Sequence, residues 1–371
     1  MDQEIERLLF TEKPFDDESF VGYLLRLAEL NLVEQLNWIL QSSDLNINFR
    51  SIRYPGITSG KNLNLLSQLA EVSVEALYSM TYQINPEVPN RLNPRYLLFG
   101  KSLPYYFIFH RHSRVCSLCL REQNYLRRIW EFAPVTACLL HKCLLADSCP
   151  HCQSALFWNR RFVSKCRCGF DFRQAEPIYV SERELRVAIY VYKLCGLEGN
   201  DKFLNDKNQL ASSLTELNYL SFFKLLLFFA SNFANLDETS GKVLLTTFSN
   251  LELHNCLDSA AMIFDDFPQN FFVFLDWKKY QKNSNISHRS RSIKFDEIIK
   301  NRQQIIDNFQ SSIRRDLDYP QYDFIHTALA EYINSPKVHL SSSLIHLDAR
   351  LLGRIYLQIL KRKYSAVKED W

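Results

Sequence analysis

The chain has little of what an exported or membrane-spanning protein needs. Met1 to Phe10 carries Asp2, Glu4 and Glu6 and lacks a basic start followed by an apolar core, which argues against a signal peptide. The most apolar window, Tyr219 to Ala234, is interrupted by Ser221, Lys224, Ser231 and Asn232 and is short for a bilayer span. A buried core helix is the expectation there, and a cytoplasmic location for the whole. Glycine is scarce, with 9 among 371 residues, while 27 Phe and 18 Tyr contribute to a 47% hydrophobic chain. This composition excludes a low-complexity or disordered protein and points to two or three packed domains weighted towards helix. A large charge of one sign is also missing: the formal net charge of +3 names no partner, so the position of the charges matters more than their sum.

Signatures of catalysis are equally thin. GITSGKN, Gly56 to Asn62, has only three residues between its glycines and an asparagine where a phosphate loop needs Ser or Thr to reach magnesium. No paired-carboxylate motif and no nucleophile with a partner stands out. The expectation is a binding protein and not an enzyme.

What is present divides the chain into three segments. Residues 1–100 read as an N-terminal helical domain. Pro14, Asp16, Asp17, Glu18 and Ser19 precede Phe20, Tyr23, Leu24, Leu27 and Leu30, the pattern of a capped amphipathic helix. Leu63, Leu66, Leu69 and Ala70, then Val72, Val74, Leu77 and Met80 with Ser73 as N-cap, have helix-turn-helix spacing; an ordinary helical hairpin fits the same spacing. Pro86, Pro89 and Pro94 end the segment. Residues 101–176 concentrate cysteine and positive charge, with eleven Lys or Arg against four acids between His110 and Arg173. Residues 177–371 read as helices over Glu182 to Leu194, Leu214 to Phe233, Phe295 to Phe309, Tyr322 to Ile333 and Leu347 to Lys363. A basic loop, Lys278 to Lys294, interrupts them. Candidate contacts to nucleic acid or to a partner are Arg111, Arg114, Arg127, Arg128, Arg160, Arg161, Lys165, Lys278, Lys279, Lys282, Arg289 and Arg291. A solvated basic face is the plain alternative for each patch.

The cysteines carry the strongest signal. Ten thiols in a reducing compartment suggest metal before disulfides. Cys116 and Cys119 form a CxxC, and Cys138 and His141 follow as a CxxH, which completes a tetrahedral set. Cys149 and Cys152 repeat the CxxC, and Cys166 and Cys168 close a second set as CxC, with Gly169 suited to a tight knuckle. Cys143 is a rival to His141 as fourth ligand, and His151 lies inside the second CxxC. Cys195 and Cys256 read as buried hydrophobes, and His110 and His112 as solvent or phosphate contacts. Two zinc ions per chain, each with four protein ligands and no open position, would serve folding rather than catalysis. The fold class expected is therefore mainly α with small zinc-ribbon insertions: an N-terminal helix-turn-helix-like domain, a tandem zinc-finger module and a C-terminal helical domain.

These residues also carry a family likeness. The run CSLCLREQNYLRRIWEFAPVTACLLHKCLLADSCPHC, Cys116 to Cys152, followed by CRCGFDFR, Cys166 to Arg173, resembles the TniQ family, which includes the longer TnsD proteins of Tn7-like transposons. ESFVGYLLRLAELN, Glu18 to Asn31, resembles the family's N-terminal signature. The resemblance implies a bacterial target-selection factor for DNA transposition. It would link a recognition module, an RNA-guided complex such as Cascade, to the AAA+ regulator TnsC, and would work as a homodimer. A TnsD-like protein that reads attachment-site DNA directly and recruits TnsC is the alternative, and a zinc-supported nuclease a distant third.

Overall fold

The protein is described by a computed structural model over residues 8–33, 36–45, 63–85, 94–108, 112–197, 210–234, 241–275, 307–309, 311–313, 317 and 320–334. It divides into two compact units, Met1–Leu210 with Ala234–Asp258, and Ala211–Phe233 with Ser259–Trp371. GITSGKN, the basic loop at 278–294, Arg111 and the helix expected at 347–363 lie outside the described residues.

The first unit is organised around helix α1, Phe20–Leu30. Its N-cap is Ser19, whose Oγ accepts from the Gly22 amide at 3.0 Å, as the sequence led us to expect. The helix is not amphipathic in place, because every residue from Phe20 to Ala28 is buried. Its one cation, Arg26, is neutralised inside: Nε and Nη2 donate to the two Glu18 carboxylate oxygens at 2.8 and 2.7 Å, and Nη1 to Glu12 at 2.6 Å. The segment before α1 runs against the residues after Tyr125. The Ser19 amide donates to the Leu126 carbonyl and the Arg128 amide to that of Asp17, both at 2.7 Å. Gly22 permits this closeness, since a Cβ there would stand 2.8 Å from that of Leu126.

After α2, Leu36–Ser42, come α3, Asn64–Ala70, and α4, Val74–Ser79. Glu71 takes a left-handed φ of 54° in the turn between them, and Ser73 caps α4 by accepting from Ala76 at 3.2 Å. A small antiparallel sheet follows, in the order β1 (Gln83–Ile84), β2 (Arg95–Leu98), β3 (Lys101–Pro104). This sheet was not anticipated. Its hairpin turns on Phe99 and Gly100, both at positive φ, the geometry of a two-residue hairpin loop.

Further along are α5 (Ser117–Glu122), the hairpin β4 (Ala137–Cys138) with β5 (Cys143–Leu144), and α6. Helix α6 spans Glu182–Leu194 as expected, with a Ser181–Glu184 capping box. The helix expected over Leu214 to Phe233 is instead two, α7 (Ser212–Thr215) and α8 (Tyr219–Phe233). Asn218 separates them because its Oδ1 accepts from the Ser221 amide at 3.0 Å and starts a new helix. Two helices without a sequence expectation follow, α9 (Gly241–Thr247) and α10 (Asn250–Met262).

In the second unit, α8 is a core helix. Phe229 sits edge-on to Phe264, Phe271 and Phe274 at centroid distances of 5.5, 6.0 and 5.3 Å. Tyr322, just before α11 (Asp323–Asn334), donates its hydroxyl to the Ser221 carbonyl at 3.0 Å. Among the described residues no helix is long and apolar enough to cross a membrane.

Ser19 also donates its hydroxyl to Glu131, a fully enclosed carboxylate. Burial pushes the Glu131 pKa from 4.5 up to about 7, against opposing hydrogen bonds from Ser19 and Tyr82. The folded protein therefore holds this proton to higher pH than the unfolded chain, and the group's contribution to stability falls as pH rises from 4.5 to about 7. Glu131→Gln, which keeps an acceptor for Ser19, should flatten that slope and raise stability at pH 8 by up to roughly 3 kcal/mol. Urea denaturation of both proteins at pH 5 and pH 8 measures it; identical pH slopes would contradict the assignment.

Candidate metal centres

Each knuckle is built by local backbone geometry. Cys116 is the N-cap of α5, and its sulfur accepts from the Cys119 amide at 3.5 Å, so that one helical turn presents both thiols on one side. Cys138 ends β4 and pairs in register with Cys143 of β5. The turn between them, eased by Lys142 at φ 49°, holds His141 over the sulfurs of α5.

Cys116, Cys119, Cys138 and His141 bring one ligand atom each within 4.8 Å of all the others. Cys119 Sγ and Cys138 Sγ are 3.6 Å apart, and His141 Nδ1 is 3.5, 3.2 and 3.7 Å from the sulfurs of Cys116, Cys119 and Cys138. Tetrahedral zinc, with bonds of about 2.3 Å to sulfur and about 2.0–2.1 Å to nitrogen, spaces its ligands roughly 3.8 Å (S to S) and roughly 3.6 Å (S to N) apart. The donor set fits such an ion in number, type and spacing. Cys143 stands 3.6 Å from Cys116 Sγ but outside the four-atom set, so its place is beside the cluster.

The thiols resist ionising together. Hydrogen bonds from the thiols of Cys119, Cys138 and Cys143 hold Cys116 far below the usual thiol range. The same pairings drive the neighbours the other way, Cys119 being pushed up to about 12 by its bond to Cys116 and by Cys116's charge. A dication is the group that lets such thiolates coexist.

His141 has a second anchor. Its Nε2 lies 2.9 Å from the carboxylate of Glu122, the last residue of α5, which turns Nδ1 towards the sulfurs. Sequence reasoning missed Glu122; the only signal was a carboxylate one helical turn beyond Cys119.

The second set, Cys149, Cys152, Cys166 and Cys168, meets the same criterion, with 3.7 Å between Cys149 and Cys168 and between Cys152 and Cys166. Each half is a knuckle: the Cys149 amide donates to the Ser154 carbonyl, and the Cys166 amide to that of Phe170, both at 2.8 Å. Gly169, at φ 89°, makes the second turn possible. His151 is not in the set and stacks near Phe170. Cys256 is buried as expected and Cys195 is half-buried. His112 lies 3.9 Å from Asp147.

Buried arginines tie the sets to their surroundings, which corrects two of the contact candidates. Arg114 is 2% exposed and donates to the carbonyls of Trp130, Phe132 and Ala133 and to Asn250 Oδ1 at 3.0 Å. Asn250 then donates from Nδ2 to the carbonyls of Thr136 and Leu145, fastening the start of α10 to the first set. Burial lowers the Arg114 pKa to about 9, so it stays charged at neutral pH. Arg160 is likewise buried and donates to Ser113 Oγ and to the carbonyls of Phe157, Phe162 and Val163. A surface contact is closed to both. Arg127 is engaged by Asp17, and Arg128 by the Ser79 carbonyl and the Phe99 ring. Arg161 is exposed and Lys165 half-exposed. Lys278, Lys279, Lys282, Arg289 and Arg291, with Arg111, lie outside the described residues.

Glu122→Gln should weaken zinc at the first set by roughly 10- to 100-fold and leave the second unchanged. Competition with a zinc chelator indicator, read as one weakened ion of two, is the check; two unaltered ions would remove Glu122 from the site.

Residues 9–145 match the family model TniQ. A search of curated proteins finds no match. The matched region covers α1, the small sheet and the complete first ligand set, and stops short of the second. This stretch of the chain is thus similar to the TniQ family.

Proposed function

We propose that the chain is a target-selection factor of a Tn7-like transposon, an adaptor without catalytic activity of its own that links a target-recognition complex to the AAA+ regulator TnsC. The observation that carries this reading is the TniQ match, coincident with a four-ligand cage at Cys116, Cys119, Cys138 and His141. In this reading each set holds one zinc ion, and the metal supplies rigidity. Four protein ligands per ion leave no position for a reacting water, which favours a scaffold. The finer layout we propose is a helix-turn-helix-like domain over 1–100, tandem zinc fingers over 101–176 and a helical domain over 177–371, working in the bacterial cytoplasm. The α3–α4 hairpin with its Ser73 cap supports the first of these. The recognition complex is of the RNA-guided Cascade type, and the adaptor acts as a monomer or a homodimer.

The second reading, a TnsD-like protein that binds attachment-site DNA itself, is favoured by the exposed Arg161 and half-exposed Lys165 beside the second set.

Zinc-loaded protein should co-purify with TnsC and the guide complex without added DNA, and Cys116→Ser should abolish both association and guided insertion in a reconstituted transposition assay. Retention of both by the variant would contradict the adaptor reading. A gel shift with attachment-site duplex alone, persisting at physiological salt, would transfer support to the direct reader.

A further inference from the structure

The loop joining the two halves of the second cysteine set has a surface that the metal site does not use. From Phe157 to Cys168 it carries four cations, Arg160, Arg161, Lys165 and Arg167, and no acid. Arg160 points inward, and its bonds to the carbonyls of Phe157, Phe162 and Val163 and to Ser113 Oγ fix the loop's shape without helix or strand. The other three are laid over rings. Arg161 and Lys165 lie 5.2 and 5.0 Å from the Phe162 centroid, and Arg167 lies 5.7 Å from that of Phe157. Arg167 is further held by donating from Nε and Nη2 to the Asn159 carbonyl at 3.0 and 2.9 Å. Asp171, whose backbone pairs with that of Lys165, commits its carboxylate to Arg173 at 2.6 Å. Among the described residues none of the three cations makes an ion pair with a carboxylate. Phe157 is 45% exposed, so part of its ring is open to solvent.

Ring-braced cations lose little freedom when they meet an anion, and three of them on one short loop, at 161, 165 and 167, suit a polyanion better than a single charge. An exposed ring at their edge adds a stacking face, and a structured loop offers no helix to fill a duplex groove. We propose that the Phe157–Arg167 loop binds single-stranded nucleic acid, with Arg161, Lys165 and Arg167 on phosphates and Phe157 against a base. The proposal stands on this surface alone and holds whether or not the chain is a transposition adaptor.

Fluorescence anisotropy with full-length, zinc-loaded protein tests it, using a labelled mixed-sequence oligonucleotide as single strand and as duplex. The single strand should bind at least about tenfold more tightly than the duplex. Phe157→Ala should weaken single-strand binding by roughly 5- to 100-fold, and Phe157→Tyr, which keeps the ring, should not. Replacing Arg161, Lys165 and Arg167 together with Ala should lower the slope of log affinity against log salt by about 2. Zinc content and melting temperature should stay unchanged in each variant. Equal binding of the duplex, an inert Phe157→Ala or an unchanged salt slope would overturn the assignment. Association of the triple variant with TnsC, measured in parallel, separates failure of this proposal from failure of the adaptor reading.

Discussion

Thiols gathered this closely could share a cation, and the short elements of residues 112–175 are arranged so as to bring them together. Seven sulfurs and one imidazole nitrogen converge into two sets whose spacing matches the edges of a tetrahedron around zinc. In the first set the sulfurs share a buried space in which one negative charge suppresses the next. Structural zinc contributes about 10–16 kcal/mol on binding. That is comparable with the whole folding stability of a domain, about 5–15 kcal/mol. Short elements such as the two-residue strands β4 and β5 can persist because the metal, and not their own ladder, would hold them.

Around the cages, buried polar groups do the joining. Arg114 gathers three carbonyls and Asn250, and Asn250 returns to the carbonyls of Thr136 and Leu145, which flank the hairpin carrying Cys138 and His141. Arg160 shapes the loop of the second set, and Arg121 of α5 reaches the Arg173 and Ala175 carbonyls, so one set is fastened to the other. Such groups are costly when unpaired, which makes these joints specific in geometry. A protein acting as the proposed adaptor would gain from that stiffness.

What was legible in the sequence was the chemistry that acts over a few residues. Chelation spacing picked out the eight Cys and His residues that the structure gathers into two groups able to hold a metal, and capping chemistry placed Ser19, Ser73 and the limits of α6. What was hidden depends on distant partners. Arg114 looks like any surface cation until Asn250, far along the chain, supplies an acceptor. Helix α1 has a polar residue at Arg26, and Glu18 and Glu12 pairing with it let an amphipathic pattern be buried from Phe20 to Ala28. The β1–β2–β3 sheet escaped notice because its strands are short and its hairpin signal is a single glycine, Gly100. The break before α8 rested on one side-chain bond from Asn218.

Metal content joined to foldedness tests the account most directly. Elemental analysis of purified, folded protein should give two zinc ions per chain, and stripping them with a strong chelator should collapse the amide hydrogen-exchange protection of residues 112–175. One ion or none in fully folded protein, or protection unchanged after both are removed, would contradict it.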